Sequence, residues 1–278
     1  MCGLSGITET HSLPVVFPPA IMKNSNRILK FEICVDTVES AVAAQNGGAD
    51  RVELCDNLYE GGTTPSYGAI TVARERLSIK LHIIIRPRGG DFLYTNTEFE
   101  IMRRDVETAK NLGVDGVVIG LLNADGTIDA ERTRELVKLA RPMSVTFHRA
   151  FDVCRDPFKA LETLVEIGVD RILTSGQKAT AIEGVELITD LVKQAENRII
   201  IMACGSLDET NIASVIHKTG VREVHFTAFE SLESKMQFRN DAVEMGSDEA
   251  GSEYERKFTD SKKVERIIKA AIDADTVN

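Results

Sequence analysis

The sequence contains no apolar run that approaches the roughly 18 residues a membrane-spanning helix needs. Its longest apolar stretch near the N-terminus, residues 13–22, is shorter and contains three prolines. No basic segment precedes this stretch, and Glu9 stands where a signal peptide would carry a lysine. We therefore expect no membrane partner, no secretory signal and no transit peptide.

Positive charge is also scarce in this chain. It has 33 Lys and Arg residues against 43 Asp and Glu residues, which gives a formal net charge of −10. Proteins that bind nucleic acids need a basic face to displace the counterions of the phosphate backbone. The composition therefore predicts no nucleic-acid partner.

Cysteine is present in a number that does not suit a disulfide framework. The chain of 278 residues has five cysteines, an odd count, and no export signal is apparent. Free thiols in a reducing compartment such as the cytoplasm fit this pattern better. A cysteine in that setting acts as a small apolar residue, a nucleophile or a soft metal ligand.

One sequence phrase occurs four times, and it predicts a helix end followed by a strand. In each copy a glycine precedes a small or apolar residue, a polar residue and an apolar run, at residues 48–54, 113–119, 168–173 and 220–226. Glycine readily adopts the left-handed conformation that ends a helix. The repeat therefore indicates an α-turn-β unit that recurs along the chain.

Further apolar runs complete a regular alternation of strands and helices. Between the four repeats, strands are predicted at 29–35, 81–85, 144–148 and 198–202. Helical patterns cover residues 37–47, 66–77, 97–112, 129–140, 156–167, 180–196, 207–219 and 260–274. Eight alternating units predict an α/β protein with a parallel sheet, because parallel neighbours need a crossover helix.

The number of units favours closure of this sheet into a ring. Eight strands close a (β/α)8 TIM-like barrel, and the first strand lacks the glycine-rich fingerprint of a doubly wound dinucleotide-binding sheet. We predict one barrel domain over residues 29–278, a flexible, disordered N-terminal tail over 1–28 and a long loop after the last strand at 228–259. Catalytic and binding residues of such barrels lie at the C-terminal strand ends.

The first two strand ends carry the same pair of residue types. Glu32 and Cys34 end the first strand, and Glu53 and Cys55 end the second. Residues two apart on a strand share a face, so we expect all four to point into the barrel. Neighbouring parallel strands lie about 4.8 Å apart, so the two sulfurs could share one small ion. Each cysteine could instead simply fill the core.

Charged groups follow the third and fifth predicted strands. Arg86 and Arg88 stand beside two glycines, a combination suited to an anion such as a carboxylate or phosphate. His148, Arg149 and Asp152 are candidate acid–base and orienting groups, with Glu32 and Glu53 as further catalytic candidates. The arginines could instead form ion pairs across the barrel, and His148 could be a core histidine.

Several of these segments resemble the copper homeostasis protein CutC family. The resemblance rests on EICVD at residues 32–36, GGADRVELC at 47–55, EGGTTPS at 60–66, IRPRGGDF at 85–92 and TFHRAFD at 146–152. It runs from about residue 30 to beyond Gly246 and implies a TIM-like barrel. It also implies a cytoplasmic or nuclear location, dimers or tetramers, and cuprous ion bound at the positions of Cys34 and Cys55.

The chain departs from the family pattern after the seventh strand. Ala203, Cys204, Gly205 and Ser206 stand where the family usually has a proline and glycines, which puts a possible third thiol near the barrel mouth. Two hypotheses follow. The protein binds Cu(I) through Cys34 and Cys55, with Cys204 as a candidate third ligand, or it is an enzyme that acts on a small anionic metabolite held by Arg86, Arg88 and Arg149.

Overall fold

We describe the chain from a computed structural model that covers residues 29–240, 242–243 and 253–275. The strands are β1 (Lys30–Val35), β2 (Arg51–Leu54), β3 (Lys80–Ile84), β4 (Gly116–Ile119), β5 (Ser144–Phe147), β6 (Arg171–Thr174), β7 (Ile200–Ala203), β8 (Glu223–Phe226), β9 (Phe229–Glu233) and β10 (Glu255–Thr259). The α-helices are α1 (Val38–Asn46), α2 (Tyr67–Arg76), α3 (Asn96–Asn111), α4 (Ala130–Ala140), α5 (Pro157–Ile167), α6 (Val185–Ala195), α7 (Ile212–Thr219) and α8 (Ser261–Asp275).

Strands β1 to β8 form a closed barrel in sequence order, and all eight neighbouring pairs are parallel. The predicted (β/α)8 barrel is thus confirmed. Closure pairs β1 with β8 as well as with β2, so that residues nearly 200 positions apart become neighbours. The C-terminal ends of β1, β2 and β8 consequently meet on one side of the barrel mouth.

The aspartates of the repeated sequence phrase bind backbone groups at the N-terminal end of the barrel. In three of its copies an aspartate accepts a backbone N–H from the start of the preceding strand: Asp50 from Phe31, Asp115 from Leu81 and Asp170 from Val145. A strand start has backbone donors that need partners when they are buried. These aspartates therefore connect the starts of β1, β3 and β5 to the residues that precede β2, β4 and β6.

The two faces of the barrel strands differ in chemistry. Outward residues such as Ile33, Val35 and Leu54 belong to the main apolar core that the strands share with the helices. Inward residues include an unusual number of buried polar groups, namely Glu32, Arg51, Glu53, His82, Thr146, Arg171, Glu223 and His225. The barrel interior therefore has a polar centre instead of a purely apolar one.

Two helices begin later than the sequence predicts. Helix α6 starts at Val185 instead of 180, and α7 starts at Ile212 instead of 207. Before α7, Asp208 accepts from the backbone and hydroxyl of Thr210, which forms a turn that competes with the helix. Short polar side chains at these positions favour turns and caps over a helix interior.

The sequence predicts a loop over 228–259, but both ends of this segment form strands. Strands β9 and β10 pair antiparallel from Phe229 with Thr259 to Glu233 with Glu255. The ribbon leaves the barrel after β8 and leads back to α8. The predicted tail at 1–28 lies outside the described residues. Among the described residues, no helix combines the length and the apolar character that crossing a bilayer requires.

Candidate functional site

Two cysteine sulfurs meet at the barrel mouth. Cys34 lies near the end of β1 and Cys55 directly after β2, and their Sγ atoms are 3.5 Å apart. Cys34 is 7% exposed and Cys55 is 2% exposed. Their apolar neighbours are Ile84 and Val118 inside the barrel and Leu58 above it. We call Cys34 and Cys55 the sulfur pair.

A carboxylate and an imidazole lie beneath the sulfur pair. Donor atoms of Glu53 and both cysteines all lie within 4.8 Å of one another, and so do donor atoms of Glu32, Glu53 and His225. Glu53 lies beside Cys34 because these two residues are register partners in the β1–β2 ladder. His225 lies beside Glu32 for the same reason in the β1–β8 ladder, and its Nδ1 is 2.8 Å from Glu32 Oε1.

Two arginines close the polar centre from below. Arg51 forms ion pairs with Glu32 and, at 2.6 Å, with Glu223, which also contacts Arg171 at 2.9 Å. All four side chains are buried, and their two positive and two negative charges balance. Buried charges persist only when they are paired and hydrogen-bonded in this way.

The sulfur pair is electrostatically asymmetric. A hydrogen bond from Cys55 outweighs the effect of burial and, with a further contribution from His225, lowers the pKa of Cys34 to about 6. The same hydrogen bond, reinforced by burial, raises the pKa of Cys55 well above its usual range. At neutral pH the pair therefore holds one thiolate and one thiol, with the thiol donating to the thiolate.

The groups beneath the sulfurs take opposite protonation states. Burial, together with the charge on Cys34, raises the pKa of Glu53 well above its usual range. Burial also acts on Glu32, but Arg51 and His225 outweigh it and hold that carboxyl's pKa well below its usual range. Burial alone would lower the pKa of His225, but its hydrogen bonds to Cys34 and Glu32 raise it. An imidazolium thus lies between a carboxylate and a thiolate.

A loop over residues 57–63, which we call the roof loop, covers the sulfur pair. Gly62 has φ = +89°, and a Cβ there would lie 3.3 Å from Cys55 Sγ, so glycine lets the backbone pass close to the sulfur. Arg86 holds this loop: its Nη1 donates to the carbonyl oxygens of Glu60 and Gly62 at 2.6 and 2.9 Å. Its Nη2 donates to Gly90 O in the next loop at 2.8 Å.

The other predicted anion-binding arginines have partners within the protein. Arg88 contacts Glu98 at 2.6 Å and Asp91 at 2.9 Å at the start of α3. Arg149 pairs with Asp152 at 2.8 Å. Asp152 also accepts from Thr174 and from the backbone of Ser175 and Gln177, so it ties the loops after β5 and β6 together. The side chains of Arg88, Arg149 and Asp152 thus bind one another or neighbouring loops, and they do not contact the sulfur pair.

His148 is enclosed at the end of β5. Its Nδ1 accepts from the backbone of Ala150 at 3.1 Å, its ring packs on Phe92 with centroids 5.0 Å apart, and its Nε2 has no hydrogen-bond partner among the described residues. Burial, aided by the charge of Arg86, lowers the pKa of His148 to about 3. The imidazole is therefore neutral in the folded protein at physiological pH.

Replacing His148 with asparagine should make the protein less sensitive to acid. Below pH about 6.5 the unfolded chain protonates this histidine and the folded chain does not, so the free energy of unfolding falls as the pH drops towards 3. Above pH 6.5 this contribution to the free energy of unfolding is fully present, and its complete loss amounts to at most about 5 kcal/mol. Urea unfolding between pH 7 and 4 measures the effect. Identical profiles of the free energy of unfolding against pH for wild type and His148→Asn would contradict the prediction.

The two other described cysteines, Cys154 and Cys204, do not belong to the sulfur pair. Cys204 packs against Leu173 and Met202 in a separate apolar group and does not belong to the donor group of Cys34, Glu53 and Cys55. Burial raises the pKa of Cys204 well above its usual range and that of Cys154 to about 11. Both are therefore neutral thiols, and Cys2 lies outside the described residues.

Sequence reasoning did not include His225 and Arg51 in the candidate site. A signal for both was available, because Arg51, Glu53 and Cys55 alternate along one strand face, as do Glu223 and His225. The missing information was the closure of β8 onto β1, which places His225 beside Glu32.

Comparison with known proteins identifies the family to which this arrangement belongs. The sequence profile of the CutC family matches residues 29–230, which include the sulfur pair, Glu53 and His225. The chain belongs to the CutC family. The mouse copper homeostasis protein cutC homolog is 49% identical over 242 residues, covering 87% of this chain and 89% of its own length. A CutC family protein of Bacteroides thetaiotaomicron is 53% identical over 242 residues, 87% of this chain and 97% of its own length.

Solved structures support the same assignment. The crystal structure of CutC from Streptococcus agalactiae matches with a TM-score of 0.69 and 37% identity, covering 71% of this chain and 98% of that one. Thiamine phosphate pyrophosphorylase from Pyrococcus furiosus matches with a TM-score of 0.55 but only 15% identity, covering 90% of this chain and 99% of that one. This second likeness shows the barrel fold alone.

Proposed function

We propose that this CutC family protein handles copper inside the cell and binds Cu(I) through the thiolates of Cys34 and Cys55. The observation that carries the proposal is the meeting of the two sulfurs, 3.5 Å apart, at the barrel mouth. Thiolates are soft ligands that prefer Cu(I) to harder metal ions. The names of the mouse and human relatives, copper homeostasis protein cutC homologs, support a role in copper metabolism.

The electrostatics of the sulfur pair suit a metal that must displace protons. Metal binding requires deprotonated thiols, so a thiol that is already ionised binds at lower cost. The pKa of Cys34 is about 6, so only the proton of Cys55 has to leave at neutral pH. His225 carries a positive charge close to Cys34 and compensates for the negative charge of a bis-thiolate complex.

The roof loop controls how copper reaches the sulfurs. Both cysteines are almost fully buried beneath it, so a metal ion or a donor protein requires the loop to open. The sulfurs, now 3.5 Å apart, must also separate for linear coordination, because a linear ion lies between two ligands on opposite sides. Rotation of the cysteine side chains, together with a small movement of the loop, can supply this separation.

The Cys34→Ser/Cys55→Ser double variant should lose tight Cu(I) binding. Titration of the reduced protein with Cu(I) against a chromophoric chelator measures the affinity, and we expect a loss of at least about a hundredfold, since both soft donors are removed. The Cys154→Ser/Cys204→Ser double variant is the matched control and should bind like the wild type. Equal affinities of wild type and Cys34→Ser/Cys55→Ser would refute the proposal.

The enzyme hypothesis has less support in the geometry. The three arginines expected to hold a small anion donate to carbonyls or carboxylates of the protein itself. Self-association into dimers or tetramers remains a prediction from the family resemblance, as do the cytoplasmic and nuclear locations.

A further inference from the structure

Glu53 is a third potential metal ligand beside the sulfur pair, and its carboxyl oxygen is a donor type that Cu(I) does not prefer. A carboxylate oxygen of Glu53 lies within 4.8 Å of both Sγ atoms, and Glu53 is only 3% exposed. Among the described residues its closest recorded ion-pair contact is 3.6 Å long, from Oε2 to His225 Nδ1. Glu32, by contrast, is fully engaged by Arg51 and His225. The carboxylate of Glu53 is therefore available to a metal ion.

The spacing of the sulfurs also fits a tetrahedral ion better than a linear one. With zinc–sulfur bonds of about 2.3 Å, two sulfur ligands of a tetrahedral zinc ion lie about 3.8 Å apart. The observed separation is 3.5 Å. A tetrahedral zinc ion thus requires an adjustment of only about 0.3 Å, whereas a linear ion, with its ligands on opposite sides, requires the sulfurs to move farther apart.

The combination of two thiolates and a carboxylate indicates a borderline metal ion. Zn²⁺ accepts cysteine sulfur and glutamate oxygen together, with sites of three protein ligands leaving a fourth position open. Soft Cu(I) gains little from a carboxylate, and hard ions such as Mg²⁺ do not select thiolates. We propose that Cys34, Cys55 and Glu53 form a three-ligand site for Zn²⁺, with the fourth position open to water or a small ligand.

The charges around the pocket support a dication with three anionic ligands. Zinc must displace the proton of Cys55, whose pKa is raised by the hydrogen bond to Cys34 and by burial, and that of Glu53, whose pKa burial raises. The resulting two thiolates, one carboxylate and Zn²⁺ then carry a net charge of −1. Beneath them the positively charged groups His225 and Arg51 face Glu32 and the floor of the pocket. Buried ions are tolerated when opposite charges lie close by. The inference shares the sulfur pair with the copper site proposed above, but it assigns Glu53 a role in zinc binding alone.

Replacing Glu53 with glutamine separates the two metals. The reduced, metal-free protein is titrated with Zn²⁺ against a chromophoric chelator and, separately, with Cu(I). Wild type should bind one zinc ion, and Glu53→Gln should weaken zinc binding by at least about tenfold, because the loss of even an outer-shell partner of a metal ligand costs about 10- to 100-fold in affinity. Its Cu(I) affinity should stay at the wild-type value. Glu100→Gln, on the exposed face of α3 and outside the donor group, is the control and should bind both metals like the wild type.

A second measurement does not depend on the variant folding. X-ray absorption of the zinc-loaded wild type should show two sulfur ligands together with oxygen or nitrogen ligands, and Co²⁺ should give the thiolate-to-metal charge-transfer band of a tetrahedral site. A shell of sulfur alone, wild-type zinc affinity in Glu53→Gln, or no zinc binding by wild type would overturn the inference. Zinc binding without Cu(I) binding would refute the proposed copper function and leave the zinc site standing. Cu(I) binding without zinc binding would refute the zinc site and leave the proposed copper function standing.

Discussion

The Arg51→Met variant should have a free energy of unfolding about 3–5 kcal/mol lower than that of the wild type. Arg51 pairs with Glu32 and Glu223 in the barrel centre, and Glu32 is fully buried. Within the described part of the chain, methionine at this position leaves Glu32 with His225 as its close cationic partner, while Glu223 keeps Arg171. Removing one partner of a buried ion pair is costly because the remaining charge is desolvated without compensation. Chemical denaturation at pH 7 measures the difference.

Two further variants test whether the uncompensated charge is the cause. Adding Glu32→Gln to Arg51→Met removes the orphaned charge and should recover part of the lost stability. Arg104→Met removes an arginine that pairs with Glu100 on the exposed surface of α3, so its cost should stay within about 1 kcal/mol. A loss below 1 kcal/mol for Arg51→Met would contradict the prediction and would mean that the central ion pairs contribute little to stability.

The fold could be predicted because its signals are local and repeated. Apolar strands and amphipathic helices alternate eight times, the glycine helix end recurs four times, and each signal can be recognised within a short window. Element boundaries were less predictable where side chains compete with the backbone, as Asp208 does before α7. The ribbon of β9 and β10 escaped prediction because its strands are largely exposed and polar, so they lack the apolar alternation that marks a half-buried strand.

The candidate site was predictable only in part. Period-two alternation placed Cys34 and Cys55 on the inner face, and the structure brings their sulfurs together. The partners from β8 could not be assigned, because the contact of His225 with Glu32 depends on ring closure over 193 positions. The position of Arg86 was predicted, but its partners are carbonyl oxygens of loops, which carry no side-chain signature in a sequence.

Arg86 holds the roof loop in place through its hydrogen bonds to loop carbonyls, so Arg86→Met should expose the sulfur pair to solvent. Three hydrogen bonds from its guanidinium to the carbonyls of Glu60, Gly62 and Gly90 would be lost. A hydrogen bond to a charged group contributes about 1.5–3 kcal/mol, so local opening should become roughly ten- to a hundredfold more frequent. The rate at which N-ethylmaleimide alkylates Cys34 in the folded protein, followed by mass spectrometry, should rise by a similar factor.

The matched control is Arg88→Met, since Arg88 contacts Glu98 and Asp91 and makes no recorded contact with residues 57–63. Its alkylation rate should equal that of the wild type. Faster copper loading of Arg86→Met with an unchanged final affinity would follow from the same cause, because the variant changes access and not the ligands. An unchanged alkylation rate in Arg86→Met would show that the roof loop is held by its other contacts.

A small anion that stabilises the wild type but not Arg86→Met would instead favour the metabolite-binding hypothesis, because the guanidinium would then bind a ligand as well as the loop.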